Sequence, residues 1–250
     1  MKVLDIDFGN ERITRHLPET WEEMTARQFV ASVAFAKDMI EPLVFFKRFL
    51  DLTDKQLANL GTYELYTIGT LLGLLKNIPP MKSFIIDSLT IDGRRFIAPG
   101  KALAGMTFMQ FMTVDTYYNW YAANNDKDML DMLCASLYLE QGIAFADTDM
   151  NRVLNVWHEC DADTKEAIAV EWLFIKKWLS NRFKFVFPEP TDNQAKQSHD
   201  KVALGNMWLD VYDSLVDDDL TRLESYKVLP AVDVLRIVNR RIKDSKKTNK

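Results

Sequence analysis

Two cysteines and three histidines are all that 250 residues offer for metal ligation and imidazole chemistry. Cys134 and Cys160 are too few for a disulfide framework, so they read as buried thiols of a reducing compartment. Glycine is scarce as well, at nine residues, and no G-x-x-x-x-G-K-[S/T], G-x-G-x-x-G or G-x-S-x-G occurs. That excludes the familiar phosphate-binding loops and the nucleophile elbow. Long apolar runs are missing too: no segment approaches the length needed to span a bilayer. Carboxylates at Asp5 and Asp7 interrupt the stretch where a signal peptide needs apolar residues. The expectation is a chain neither secreted nor membrane-spanning. Positive charge is in the minority, and a net charge of -5 gives no general attraction for nucleic acid or anionic membrane.

Apolar residues are plentiful: 48% hydrophobic against 27% charged places the chain among folded globular proteins. Val3, Leu4, Ile6 and Phe8 lead to Gly9-Asn10, and Arg12 to Leu17 can return antiparallel, which predicts a hairpin. Thr25 and Gln28 have capping-box spacing ahead of an apolar run, predicting a helix from Ala26 that stops before Pro42. Helices are further expected over Leu43–Leu50, after Thr53, and over Leu65–Leu75 before Pro79-Pro80. Asp92-Gly93 between Phe84–Ile91 and Arg94–Ile97 predicts a second hairpin.

Met106-Thr107-Phe108-Met109-Gln110-Phe111 repeats the form Met24-Thr25-Ala26-Arg27-Gln28-Phe29 at a similar distance beyond a hairpin turn. Both read Met-Thr-x-x-Gln-Phe, which suggests a duplicated hairpin–helix unit. Thr107–Leu139 is helical in pattern with a break at Asn124-Asn125, and methionines 106, 109, 112, 129 and 132 read as a core stripe. Two more helices follow, over Asp149–Glu159 and Asp163–Arg182; Ala167, Val170, Leu173, Phe174, Trp178 and Leu179 form the apolar face of the second.

The expected architecture is therefore mainly α (α+β): a multi-helix bundle with two β-hairpins and a C-terminal helical segment. Residues 1–187 form the body, with hairpins near 3–17 and 84–98. Pro188 to Asp200 reads as a connector, and 201–250 as helices (Val202–Leu215, Leu220–Tyr226, Val232–Ile242) placed on a mobile arm. Lys246–Lys250 should fray. Arg236, Arg240, Arg241, Lys243, Lys246, Lys247 and Lys250 make this end basic. Without interleaved aromatics they read as a solvated tail rather than a nucleic-acid site.

Three groupings imitate reaction motifs. Ser198-His199-Asp200 has triad letters, but three adjacent side chains cannot form the relay. His158-Glu159-Cys160 lacks the second histidine of a zinc protease. Asp147-x-Asp149-x-Asn151 begins like a calcium loop, yet Arg152 stands where glycine is needed and His158 where the closing glutamate belongs, so a helix cap explains it better. No catalytic, cofactor-binding or metal-ligating residue is assigned. Carboxylate pairs brought together from distant positions stay open.

Pro18-Glu19-Thr20-Trp21-Glu22-Glu23-Met24-Thr25-Ala26-Arg27-Gln28-Phe29 resembles the opening phrase of a group of tailed-bacteriophage proteins. Leu89-Thr90-Ile91-Asp92-Gly93-Arg94-Arg95-Phe96 is similar to their second hairpin. Trp208-Leu209-Asp210-Val211-Tyr212 and Pro230-Ala231-Val232-Asp233-Val234-Leu235 resemble their ending. The resemblance implies a non-enzymatic tail assembly chaperone that coats the tape measure protein, or binds the tail tube protein, in the host cytoplasm, with no cofactor. A structural virion protein, such as a connector or packaged protein, is the alternative it leaves open. Self-association, and an enzyme or nucleic-acid binder with an unfamiliar site, stand beside these.

Overall fold

Alternation of buried Leu4 and Ile6 with exposed Val3, Asp5 and Asp7 dictates a half-buried strand. In the computed structural model, which describes residues 2–9, 11–71, 73, 75, 79–187, 208, 211 and 225–248, it is β1 (Lys2–Asp7). β1 pairs antiparallel with β2 (Arg12–Leu17) in the register Ile6 opposite Ile13. Gly9 takes φ +84° in the connection and donates its N–H to Asp7 Oδ1 at 2.7 Å; Asn10, the other expected turn residue, lies outside the described residues.

A single 3₁₀ turn at Trp21–Glu23 leads to α1 (Ala26–Ala36). Thr25 caps it, its hydroxyl accepting from Gln28 N at 3.2 Å while Gln28 Oε1 accepts from Thr25 N at 3.0 Å. Replacing Thr25 by Ala removes one half of this box and is expected to cost about 0.5–2 kcal/mol, read from the shift of a denaturation midpoint; no loss would mean that packing alone sets the helix start. α1 ends well short of Pro42. Asp38 adopts φ +55° and Met39 N reaches back to Ala34 O at 2.9 Å, so an aspartate does here what glycine usually does. α2 (Pro42–Leu50) starts with Pro42 in its first turn, and α3 (Asp54–Ala58) has its own box between Thr53 and Gln56. α4 is Thr62–Leu71; the expected end at Leu75 falls where the chain is described only in part.

The chain divides into two compact units. The first comprises residues 1–79 with 161–171, around buried Leu4, Ile6, Leu17, Ala31, Phe45, Phe49, Leu50, Leu52 and Ile68. Phe35 stacks on Phe45 at 4.7 Å within it. Buried Glu166 accepts from Lys37 Nζ at 2.5 Å, and Asp163 pairs with Arg48.

The second unit comprises residues 80–160 and 172–250. β3 (Ser88–Ile91) and β4 (Arg94–Ile97) form the expected hairpin, with Asp92 and Gly93 at φ +48° and +70° as a two-residue turn of that hand requires. Its strands begin at Ser88; Phe84–Ile86 are irregular. A third strand that periodicity does not reveal, β5 (Leu139–Glu140), adds to β4 with Phe96 opposite Glu140. α5 (Phe108–Asn124) and α6 (Lys127–Leu137) are separated at the predicted place by Asn125, at φ +51°. α7 (Met150–His158) follows, and the continuous α8 (Ala162–Arg182) contributes its later turns. Phe96 and Tyr138 meet the Trp157 ring at centroid distances of 5.5 and 6.0 Å. The last helix, α9 (Ala231–Thr248), buries Ala231, Val234, Leu235 and Val238.

Several expectations need correction. On α8 the fully buried residues include Ile168, Trp172 and Ile175, while Val170, Leu173 and Trp178 are only half-buried, so the helix is covered on more than the one expected face. Of the methionine stripe, Met106 and Met112 are buried, Met129 and Met132 half-buried and Met109 exposed. Helix continues to Thr248 where fraying was expected. The described end of the anticipated arm is built into the second unit: Phe108 N donates to Leu229 O at 2.8 Å and Ala231 N to Met106 O at 3.0 Å. The connector 188–200 and most of the helices expected over 202–215 and 220–226 lie outside the described residues.

The shared hexapeptide has a local physical explanation. Met-Thr-x-x-Gln-Phe sets apolar residues just before the cap and at the fourth helical position, with Thr and Gln as cap and third residue: a capping box inside a hydrophobic staple. Leu52-Thr53-Asp54-Lys55-Gln56-Leu57 follows the same grammar at α3 without a preceding hairpin. The copies also differ in use. Gln28 turns back on Thr25, whereas buried Gln110 donates to the carbonyls of Ser136 and Leu137 at 2.9 and 3.5 Å, at the far end of α6.

Candidate functional site

The motif look-alikes are structural where they are described. Asp149 caps α7 through Arg152 N at 3.2 Å, and the Arg152 guanidinium pairs with Glu140 at 2.5 Å. His158 Nδ1 lies 2.7 Å from Asp131 Oδ2. Ser198-His199-Asp200 is outside the described residues. Among the described residues no group of three or more His, Cys, Asp or Glu is placed to hold a metal ion.

The densest polar cluster is one the sequence does not announce. Asp115, buried in the middle of α5, accepts four hydrogen bonds in the second unit. Oδ1 takes Lys176 Nζ at 2.8 Å and Trp172 Nε1 at 3.3 Å; Oδ2 takes Trp208 Nε1 at 2.8 Å and Asn119 Nδ2 at 3.1 Å. Lys176 also donates to Asn119 Oδ1 at 2.7 Å and sits over the Tyr118 ring at 4.8 Å. Burial, and secondly the Asp115 charge, push the Tyr118 phenol up to about 12. Every carboxylate lone pair is engaged and aromatic rings surround the group: Trp208 packs edge-on to Phe111 and Phe187 at 5.0 and 5.8 Å. Such saturation leaves no acceptor for a substrate, so the cluster works as a clamp joining α5, α8 and Trp208.

A cavity of about 150 Å³ lies elsewhere in this unit, lined by Ile97, Pro99, Met106, Leu137, Leu139 and Gln110 among others. Ala102 and Leu103, both at positive φ (58° and 61°), hold the adjoining loop. Because the Gln110 amide is already committed to α6 carbonyls, the cavity offers shape and apolar contact but no reacting group.

More informative are the side chains left outside. On α4, Ile68 points into the first unit's core while Tyr63 and Tyr66 are 71% and 74% exposed on the opposite side of the helix. On α2, Phe45 and Phe49 are buried and Leu43 and Val44 are exposed. Two helices thus each bury one apolar face and present another.

Family models, curated proteins and solved structures give no match to the chain. The candidate site therefore rests on geometry: the exposed apolar faces of α2 and α4. The sequence pattern predicts helices over Leu43–Leu50 and Leu65–Leu75, a span that begins after Tyr63. The signal was available, because an i, i+3 tyrosine pair falls opposite Ile68 once the helix start at Thr62 is known. Among the described residues no helix is long and apolar enough to cross a membrane.

Proposed function

We propose that this chain is a non-enzymatic bacteriophage assembly protein, a tail assembly chaperone that holds the tape measure protein in the host cytoplasm through the apolar faces of α2 and α4. The observation that carries the reading is the tyrosine pair. Tyrosine brings large contact area with few torsions to freeze and is enriched where binding energy concentrates. Leu43 and Val44 add apolar surface that the first unit leaves uncovered. The phage-like phrases support the same reading at the level of fold. Trp21 is buried edge-on against Phe29 at 5.6 Å, and Asp92-Gly93 forms its turn, so these residues are framework on which a binding face can be varied.

Co-expression with the tape measure protein of the same genome tests this. The long protein is expected to become soluble and co-purify, and Tyr63→Ser with Tyr66→Ser to reduce recovery by an order of magnitude while leaving the melting curve of the free chain in place. Deleting residues 201–250 is a poor test, because Trp208 and α9 belong to the core of the second unit. If the two proteins ignore each other and the chain is abundant in purified virions, a structural virion role replaces the chaperone.

A further inference from the structure

We propose that the outward face of α9, together with the end of α8 and the turn after it (residues 182–185), binds the phosphate backbone of nucleic acid without sequence preference. Residues 231–250 carry seven Lys or Arg and two Asp, so within a chain total of -5 the other 230 residues hold -10. Those up to Lys247 stand on a helix rather than a loose tail. Ala231, Val234, Leu235 and Val238 fix one side of α9 in the second unit, and at 100° per residue Arg236, Arg240 and Lys243 then share the opposite side, all exposed. Successive members rise by about 6 and 4.5 Å along the axis. Arg236 pairs with Asp233 on its own helix at 2.9 Å. Asp244, further along, borders the row on the same side as Asp233.

The other border is basic and aromatic. Phe185 N donates to Asn239 Oδ1 at 3.0 Å, which docks the 182–185 turn along α9, and Lys246 lies over the Phe185 ring at 5.7 Å. Exposed Arg182 and Lys184 come with that turn, Arg182 lying 5.6 Å from both the Trp178 and the Phe183 ring. The aromatics whose absence counted against nucleic acid in the linear sequence are thus supplied from a segment more than fifty residues earlier. Phe183 is buried and Trp178 and Phe185 are half-exposed, so partly open rings border the cations, as on surfaces along which a polynucleotide backbone tracks.

An acidic protein partner is the competing occupant, and the energetics favour nucleic acid. No large apolar side chain is exposed on α9 itself and the neighbouring rings are at most half-exposed, so a protein would meet mainly solvent-screened ion pairs, each contributing about 0–1 kcal/mol. A nucleic acid instead releases a condensed counterion for each phosphate neutralised.

Fluorescence anisotropy of the full chain with short labelled oligonucleotides of mixed sequence, single-stranded and duplex, tests the proposal. Engagement of about five phosphates should give a slope of log K against log salt near -3.5 for single strands and -4.5 for duplex. Arg240→Glu with Lys243→Glu should weaken binding at least about tenfold and flatten the slope by about two. Lys55→Glu, on α3, should change neither. A melting curve shared with the parent chain keeps misfolding out of the comparison. Absence of binding at low salt, or retention of full affinity by the double reversal, overturns the proposal. Equal displacement of the oligonucleotide by a polyglutamate peptide also overturns it, in favour of an acidic protein partner.

Discussion

Asp115→Ala should destabilise the protein by about 3–5 kcal/mol, the cost typical of removing one member of a buried charge pair. Most of that loss arises in what is left behind. Lys176, whose side chain is 21% exposed, would keep its charge with only Asn119 opposite it, and the indole N–H groups of Trp172 and Trp208 would lose their acceptor inside a wall of rings. Asp115→Asn keeps the shape and a carbonyl acceptor and should cost distinctly less. Adding Lys176→Met to Asp115→Ala should restore part of the stability by deleting the stranded charge, a coupling that a double-mutant cycle measures in denaturant. If Asp115→Ala shifts the midpoint no more than a surface substitution does, the cluster is not a clamp.

Alkali should undo the same region in a defined pH window. The Tyr118 phenol is held near 12 by burial and by the Asp115 charge, against 10.0 for the free side chain. Between those values the unfolded chain gives up its phenolic proton and the native chain keeps it, so the unfolded state binds fewer protons and stability falls as pH rises. The contribution is intact below pH 10 and is lost progressively towards 12, a total of about 2–3 kcal/mol for two pH units. Tyr118→Phe cannot ionise and should lose correspondingly less over the window, so the difference between the two proteins isolates this phenol from lysines that titrate in the same range. Parallel stability curves for the two would refute the shift.

Features fixed by neighbours in sequence were readable in advance. Thr25, Thr53, Thr107 and Asp149 cap helices where their spacing says they should, because a cap needs only three residues of chain. Asp92-Gly93 and Asn125 turn the chain for a similar reason: their backbone preferences are intrinsic. What could not be read depends on distant partners. β5 is two residues long and exists only because β4 lies beside it. Asp115 looks like any polar residue in α5 until Trp172 and Trp208 arrive from 57 and 93 positions away. The basic face of α9 was half legible: its cations were counted correctly, but the turn carrying Arg182, Lys184 and Phe185 is set against it by a hydrogen bond spanning 54 positions. Tyr63 and Tyr66 are a different omission, since nothing nonlocal was required to see them.

The distances along the chain that separate Asp115 from its partners also order events on a ribosome. α5 emerges with α6 close behind it, joined by the turn at Asn125, so those two helices have each other early. Trp172 and Lys176 emerge later, and Trp208 later still. Throughout that interval Asp115, on the helix that also carries the core residues Phe108, Phe111 and Val114, is without the indoles and the ammonium that surround it in the finished fold. The clamp that draws two indoles and an ammonium onto Asp115 is therefore complete only once Trp208 has been made.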